Sequence, residues 1–349
     1  MENHQGDYKI IKSNGKTYNE LRKISASILK SSKEETESLE EKTNQDKKIK
    51  ELIRDSNSKK SYKHSYSSLS HGDHEIISSN ELMEVNKEGI EEEGLSKFDK
   101  LAVQVSANYD DNIPPINIPL NYPKGAKLGT ALHEIFEGLD FTNYNEFLEL
   151  KINRCFSKQG ITNNDEFNKV TTNIVHNVLN AVLPVIKGAN VINQSIKLCD
   201  ITNDNKLDEV EFNFNVFNEK LSNYCNGFVD LIFKNNDTYA ILDWKSDKLN
   251  DDFTSYCDAG ILKKHVDECY SIQRVLYSYC LIKTLKLQYE NLSYQEIFEN
   301  HFGGVYYVFL RGCNENTGNG VYCQTWNNWE DLEKSFIEIT NSRIGGNHE

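Results

Sequence analysis

With 349 residues the chain has room for one large domain or two ordinary ones, and a formal charge of −14 tells against a protein that grips a polyanion by charge alone. No apolar run approaches the roughly 20 residues of a membrane-spanning helix, and the polar opening Met1-Glu-Asn-His-Gln-Gly6 lacks a secretory core. The expectation is a soluble, cytoplasmic protein with no membrane partner. The eight cysteines, at 155, 199, 225, 257, 269, 280, 313 and 323, form no Cys-x-x-Cys pair, which argues against zinc or iron–sulfur clusters and for reduced thiols.

Residues 1–60 are poor in apolar side chains and dense in Lys, Glu, Ser and Asn, as in Ser31-Ser-Lys-Glu-Glu-Thr-Glu-Ser-Leu-Glu-Glu-Lys42. That composition predicts a disordered or linker-like segment. Gly15-Lys16-Thr17 resembles the end of a phosphate-binding loop, but Ile10 stands where its first glycine belongs. His71, Asp73 and His74 read as a solvated loop rather than a metal site. Ser65-Tyr-Ser-Ser-Leu69 is a short semi-apolar element, and Pro114, Pro115 and Pro119 mark an extended approach, so 61–119 is expected to be a lead-in and linker. A folded body then spans 120–345.

Thr130 could cap a helix carrying Leu132, Ile135, Phe136 and Leu139, on which His133 and Glu137 share a face. From spacing alone that pair is as readily a solvated helix edge as a ligand pair. Phe167, Val170, Ile174, Val178 and Val182 form a core stripe predicting a helix that runs to Pro184, with His176 on it unremarkable. Val210, Phe212, Phe214 and Val216 alternate, which predicts a strand with Glu211 on its other face. Glu211 could join a site or form a cross-strand ion pair.

Gly227-Phe-Val-Asp-Leu-Ile-Phe233 and Tyr239-Ala-Ile-Leu-Asp-Trp-Lys245 are apolar, β-branched and aromatic runs around Asn-Asn-Asp, a β-hairpin pattern. A loop at Asn235–Thr238 pairs Lys234 with Tyr239 and sets Asp230 opposite Asp243. Like charges about 5 Å apart repel, so a cation is expected between them. Strand alternation puts Asp243 and Lys245 on one face and Trp244 on the other. Downstream, Leu262–Leu285 reads as a long helix whose Gln273 and Tyr277 fit a polar core position. Gly303–Leu310 reads as a buried strand ending at Arg311, and Trp329–Ile339 as a closing helix.

Two carboxylates followed by a lysine two residues on suit metal-dependent phosphodiester hydrolysis. Carboxylate oxygens hold Mg²⁺, with Mn²⁺ accepted as well, and a lysine can orient the attacking water or stabilise the charge that develops. Asp-x-Lys is weak by itself; an acid in register opposite it strengthens the pattern.

Taken with the helix block Lys124–Phe141, the block Ile272-Gln-Arg-Val-Leu-Tyr277 and the strand block His301-Phe-Gly-Gly-Val-Tyr-Tyr-Val-Phe-Leu-Arg-Gly312, the hairpin resembles the RecB-type C-terminal nuclease domains of the PD-(D/E)XK superfamily. The resemblance covers about residues 60–340. It implies an α/β fold with a central mixed sheet flanked by helices. It further implies metal ligation by His133, Asp230 and Asp243 with the Trp244 carbonyl, a catalytic Lys245, and Gln273 and Tyr277 positioning DNA or the active-site groups. Glu137 and Glu211 stay open. It also implies a setting in double-strand-break repair, DNA as single strands or unwound ends, and RecC-like and RecD-like partners.

Nothing in the sequence resembles helicase motifs, so unwinding is expected to reside elsewhere. The chain would then be a C-terminal fragment, a split gene product or a free-standing derivative. The acidic charge fits a domain that receives DNA from partners. The rival readings are a catalytically idle docking remnant, against which every motif residue is present, and an autonomous single-strand exonuclease, whose iron–sulfur kind the cysteine spacing disfavours.

Overall fold

In a computed structural model of the chain, the described residues are 9–12, 61–65, 102–105, 118, 122–218, 221–249 and 253–344, with side chains described at 118, 122–212, 227–249 and 253–341. The phosphate-loop look-alike at Gly15–Thr17, the His71–His74 cluster and the Pro114–Pro115 approach lie outside them. In order the elements are β1 (Lys9–Lys12), β2 (Ser61–Ser65), β3 (Ala102–Val105), α1 (Ala126–Phe136), α2 (Leu148–Lys158), α3 (Asp165–Asn180), β4 (Leu183–Lys187), β5 (Asn190–Ile196), β6 (Lys206–Asn218), β7 (Leu221–Asn235), β8 (Thr238–Lys245), α4 (Thr254–Cys257), α5 (Ala259–Gln288), α6 (Tyr294–His301), β9 (Phe302–Phe309), β10 (Val321–Trp326) and α7 (Trp329–Ile344).

The sheet runs β1-β6-β7-β8-β9-β10-β3, with β2 pairing along β7. Neighbours β6–β7, β7–β8 and β9–β10 are antiparallel, whereas β8 and β9 are parallel. The protein is thus α/β with a mixed sheet, and helices cover both faces. Every residue of β8 and of β9 is buried, which explains why these strands read as unbroken apolar runs rather than as alternation. On one face lie Val266, Leu276, Ile282, Phe298 and Phe336 of α5, α6 and α7. On the other lie Leu132, Ile135, Phe156, Val175 and Ile186 of α1, α2, α3 and the small β4–β5 hairpin. Ile241 and Tyr307 belong to the first layer, Leu242 and Trp244 to the second.

Local chemistry sets the ends of the helices. Gly125, at φ 79°, turns the chain into α1, a left-handed conformation that glycine adopts without penalty. Thr130 is therefore inside the helix rather than at its cap, and its hydroxyl donates back to the Ala126 carbonyl at 3.1 Å. Asn164 caps α3 by accepting from the Phe167 N–H at 2.8 Å. That helix ends at Asn180, earlier than its stripe predicts, because Leu183–Lys187 turns into a strand that pairs with β5. The Asp258 carboxylate caps α5 at the N–H groups of Gly260 and Ile261. From Ser271 to Ile282 that helix is buried at every position, as expected of one enclosed on all sides. Among the described residues no helix is long and apolar enough to cross a membrane.

The β7–β8 hairpin is tighter than expected. Lys234 does oppose Tyr239, but Asn235 and Thr238 also pair, leaving Asn236-Asp237 as a two-residue turn with Asn236 at φ 53°. Asparagine tolerates that left-handed conformation. The β7–β8 ladder stops at Leu231↔Leu242, so the strands separate where Asp230 and Asp243 begin.

A second irregularity sits at the same level. Leu207 and Val210 of β6 both face α5, as do Val229 and Ile232 of β7, while Leu231 faces α1. The register is continuous from Asp208↔Leu231 to Val210↔Val229, so no residue is inserted. Both strands change face together at Glu209 and Asp230, and Glu209 takes φ 49°.

Close approach fixes the far end of β9. A Cβ on Gly312 would overlap the base of the Tyr256 ring, which the buried packing of Tyr256 against Phe309 prevents from moving away. Gly312→Ala is expected to lower stability by about 1–3 kcal/mol, measured as the midpoint of urea unfolding; an unchanged midpoint would show that the Tyr256 ring yields freely.

Candidate active site

Four elements meet where β7 and β8 part. Strand alternation delivers Asp243 and Lys245 from β8 toward α5, and the face change delivers Asp230 from β7 toward α1. The Asp230 carboxylate takes over from the missing ladder bond, accepting from the Trp244 N–H at 2.8 Å. His133, on the second turn of α1, places Nδ1 3.4 Å from the same Asp230 Oδ2. Trp244 points away from Asp243 and Lys245, toward α1, its ring stacked on Phe136 at 4.4 Å. That contact anchors α1, and with it His133, to β8.

On the α5 side the groups are in direct contact. Lys245 Nζ lies 2.6 Å from Asp243 Oδ1. Gln273 Nε2 donates to Asp243 Oδ2 at 2.5 Å, and Lys245 Nζ donates to Gln273 Oε1 at 3.4 Å. All three side chains are buried. Tyr277, one turn on, packs 6.0 Å from the Phe212 ring and occupies the space above Gly227, where a Cβ would come within 2.9 Å of its ring. Of the residues singled out in the sequence, Asp243, Lys245 and Gln273 thus form one cluster and Asp230 with His133 an adjoining one. The Trp244 backbone joins the two, and Tyr277 packs alongside on β7.

The charge balance is uneven. Burial raises the pKa of Asp243 to about 7, and the charge of Asp230 adds to the rise against the lowering effect of Lys245. Burial also works against ionisation of Asp230, but His133, Lys245 and the Trp244 N–H outweigh it and hold that carboxyl below its ordinary value. One carboxylate up and its neighbour down is the behaviour of two acids sharing a site. His133 is raised: burial opposes its charge, and the attraction of Asp230 and Asp243 prevails.

One acid in the site was not singled out in the sequence. Glu209, on the strained residue of β6, has its pKa lifted from 4.5 to about 8, by burial first and then by the charges of Asp230 and Glu137. Glu211, weighed as a candidate, instead lies across from the exposed Phe228. In the sequence both are acids two apart on one strand, and the β6–β7 register that sets Glu209 at the level of Asp230 leaves no local signal.

Among the described residues no three His, Cys, Asp or Glu side chains stand ready-grouped around a metal position, because Asp243 is turned onto Lys245 and Gln273. The donor set nonetheless fits a hard divalent cation: two carboxylates, an imidazole and a backbone carbonyl, with Glu209 beside them. The upward shifts of Asp243 and Glu209 mark buried negative charge that a cation would relieve.

A mixed sheet covered by helices on both faces, with two acids and a lysine at the splay of a central hairpin, is compatible with a PD-(D/E)XK (restriction-endonuclease-like) core. No family model matches the chain. It is similar to the RecB subunit of the RecBCD enzyme from Escherichia coli K12, at 28% identity over 284 residues, 72% of this chain and 22% of that one. It is also similar to RecB from Haemophilus influenzae, at 26% over 227 residues (58% and 18%), and from Borreliella burgdorferi, at 27% over 248 residues (62% and 20%). The matched region is RecB-like, and the chain spans about a fifth of the length of these curated relatives.

The pKa directions set a stability profile for the metal-free protein. A group whose folded pKa is raised contributes stability below its unfolded pKa and loses it as pH climbs through the folded one. Glu209, Asp243 and His133 share that sign, and the loss from the lowered Asp230 falls at more acidic pH. In EDTA, stability is expected to fall by on the order of 1–3 kcal/mol between about pH 5 and pH 8. Glu209→Gln should flatten the decline and Mg²⁺ should reverse most of it. Thermal melts across this range check the outcome, and a profile flat in EDTA would contradict the charge balance.

Proposed function

We propose that the chain is a Mg²⁺-dependent deoxyribonuclease that hydrolyses phosphodiester bonds of single-stranded DNA or unwound ends. Its setting is a RecBCD-like apparatus for double-strand-break repair in the cytoplasm, with RecC-like and RecD-like partners. The observation that carries the reading is the convergence of Asp243, Lys245 and Gln273 beside Asp230 and His133 at the parting of β7 and β8. The similarity to RecB subunits supports the setting.

His133, Asp230, Asp243 and the Trp244 carbonyl are the groups to hold the ion, the imidazole releasing its Nδ1 proton to do so. Bound there, Mg²⁺ supplies water activation and neutralises charge on the phosphoryl oxygens, and Mn²⁺ serves similarly. Asp243 is freed for this by leaving Lys245, while Gln273 Nε2 keeps hold of its Oδ2 and limits the swing. Lys245 Nζ then turns its N–H groups to the attacking water and to a non-bridging phosphate oxygen. There it stabilises charge that grows as the water gives a proton to solvent and bonds to phosphorus, while the bond from phosphorus to the leaving oxygen breaks and that oxygen takes a proton from solvent. Tyr277 braces α5 against β7 and so sets the height of Gln273. Glu209 adds a carboxylate whose charge the ion also offsets.

Purified protein is expected to degrade labelled linear single-stranded DNA in Mg²⁺ and not in EDTA. Asp243→Ala and Lys245→Ala should each lower the rate by about 100-fold or more. A folded wild-type protein inert in both Mg²⁺ and Mn²⁺, with RecC-like and RecD-like subunits added, would sink the nuclease reading and favour an idle docking module.

A further inference from the structure

Lys245 has a second partner that the proposed chemistry does not use. Its Nζ stands 3.6 Å from the centroid of the Tyr270 ring, about three turns into α5, and 5.6 Å from that of Tyr307 on β9. The Tyr270 ring is clamped on three sides. It stacks on Tyr307 at 5.6 Å and 20°, and the Tyr307 hydroxyl donates to the Tyr270 carbonyl at 3.3 Å. Its own hydroxyl donates to Asp247 Oδ2 at 2.6 Å, and His265 Nε2 approaches the same oxygen at 3.5 Å. His265 in turn packs edge-on against Tyr270 and Phe309. Asp247, two residues beyond the end of β8, is also turned to α5, so the acid, the lysine and the anchor of the ring beneath that lysine all meet the same helix.

We propose that Tyr270, held by Asp247 and His265, is a positioning residue for Lys245 that acts when Asp243 lets go; the proposal rests on the nuclease reading. A divalent cation on Asp243 competes with the ammonium for the same carboxylate charge and repels it, which weakens the 2.6 Å ion pair and favours a turn of the carboxylate toward the metal. Once it turns, Lys245 loses its ion pair and keeps only the weak contact with Gln273. An ammonium on four rotatable bonds would swing toward water. The ring face retains it: a cation over an aromatic face is attracted by the ring quadrupole, more strongly where water is excluded. Donating its O–H proton to Asp247 enriches the Tyr270 ring in electrons, which strengthens that attraction. The ring is neutral, so unlike a second carboxylate it neither competes for the metal nor traps the lysine in an ion pair. Nζ is left in place with its N–H groups available.

The test compares Tyr270→Leu, which removes the ring, with Tyr270→Phe, which keeps the ring and drops the hydroxyl, using single-stranded DNA cleavage in Mg²⁺. Tyr270→Leu is expected to lower kcat about 10- to 100-fold with KM within about threefold, and Tyr270→Phe to recover most of it. A second measurement does not depend on activity. In protein labelled with ¹³C at lysine Cε, the Lys245 signal, assigned by its loss in Lys245→Ala, should be shifted upfield by the ring. The shift should persist on adding Mg²⁺ and in Tyr270→Phe, and vanish in Tyr270→Leu. An unshifted Lys245 signal in Mg²⁺ would overturn the proposal, as would Tyr270→Leu with wild-type kcat in an enzyme that Lys245→Ala disables. Wild-type protein inert on DNA, or a fully active Lys245→Ala, would instead defeat the nuclease reading on which it stands.

Discussion

The structure turns on two carboxylates held side by side away from water. Asp230 and Asp243 follow directly on the last rung of the β7–β8 ladder, where mutual repulsion and desolvation both oppose their charge. An isolated buried anion would cost several kcal/mol, so each has been given its own compensation. Asp230 has His133 and a backbone N–H; Asp243 has Lys245 and Gln273. The compensation is incomplete, because Glu209 brings a third acid against only one lysine and one histidine. Burial first, and then the repulsion between neighbouring acids, pushes Asp243 up to about 7 and Glu209 up to about 8.

The scaffold explains how such a site survives. β8 and β9 are the parallel, doubly buried centre of the sheet, and the stacking of Trp244 on Phe136 ties α1 to the back of the strand that presents Asp243 and Lys245. Side chains therefore reach the splay from both layers, His133 from one helix and Gln273 from another, onto a strand that cannot shift. The strain is placed elsewhere. Glu209 takes a left-handed backbone, a conformation that costs a non-glycine residue roughly 1–3 kcal/mol, at the point where β6 and β7 change face together. The distortion thus lies on β6, away from the buried strand that presents Asp243 and Lys245.

Much of this was legible in the chain. The hairpin register followed from Asn-Asp turn chemistry and from apolar runs of fixed length, so Lys234 opposite Tyr239 needed no structure. The layering of Trp244 against Asp243 and Lys245 followed from the two-residue period of a strand. What escaped the sequence depends on long-range partners. Glu209 and Glu211 are alike in composition and flank Val210 on one face, and only the β6–β7 register decides that Glu209 stands at the level of Asp230 and Glu211 at Phe228. The α3 stripe ran on to Pro184 because Val182 keeps the helical period, while the structure spends Leu183–Lys187 on pairing with β5. β1, β2 and β3 come from a stretch whose composition gave no strand signal, and each is only four or five residues long. β10 lies beyond the Asn- and Gly-rich segment 314–320, and its burial is conferred by β9 beside it. Asp247 was the one omission a simple rule would have caught, since it stands two residues beyond Lys245 as Lys245 stands two beyond Asp243.

That last regularity connects the charge deficit to the aromatic cluster. Asp243 and Lys245 at the end of β8, and Asp247 two residues past it, present acid, base and acid to the same helix. Two free carboxylates flanking one lysine would hold it by charge in two positions, and either ion pair would consume the group the chemistry needs. Tyr270 resolves the conflict by taking Asp247 for itself: the carboxylate that might have captured Lys245 instead fixes the ring on which Lys245 rests. The pKa of Asp247 lies below its ordinary value, since burial is outweighed by His265, Lys245 and Tyr270. It therefore stays charged and keeps accepting the phenol proton. Of the two acids on this face, the one tied to an aromatic network remains an anchor. The other, with its pKa raised and held by a lysine and an amide, is the one left able to change partners.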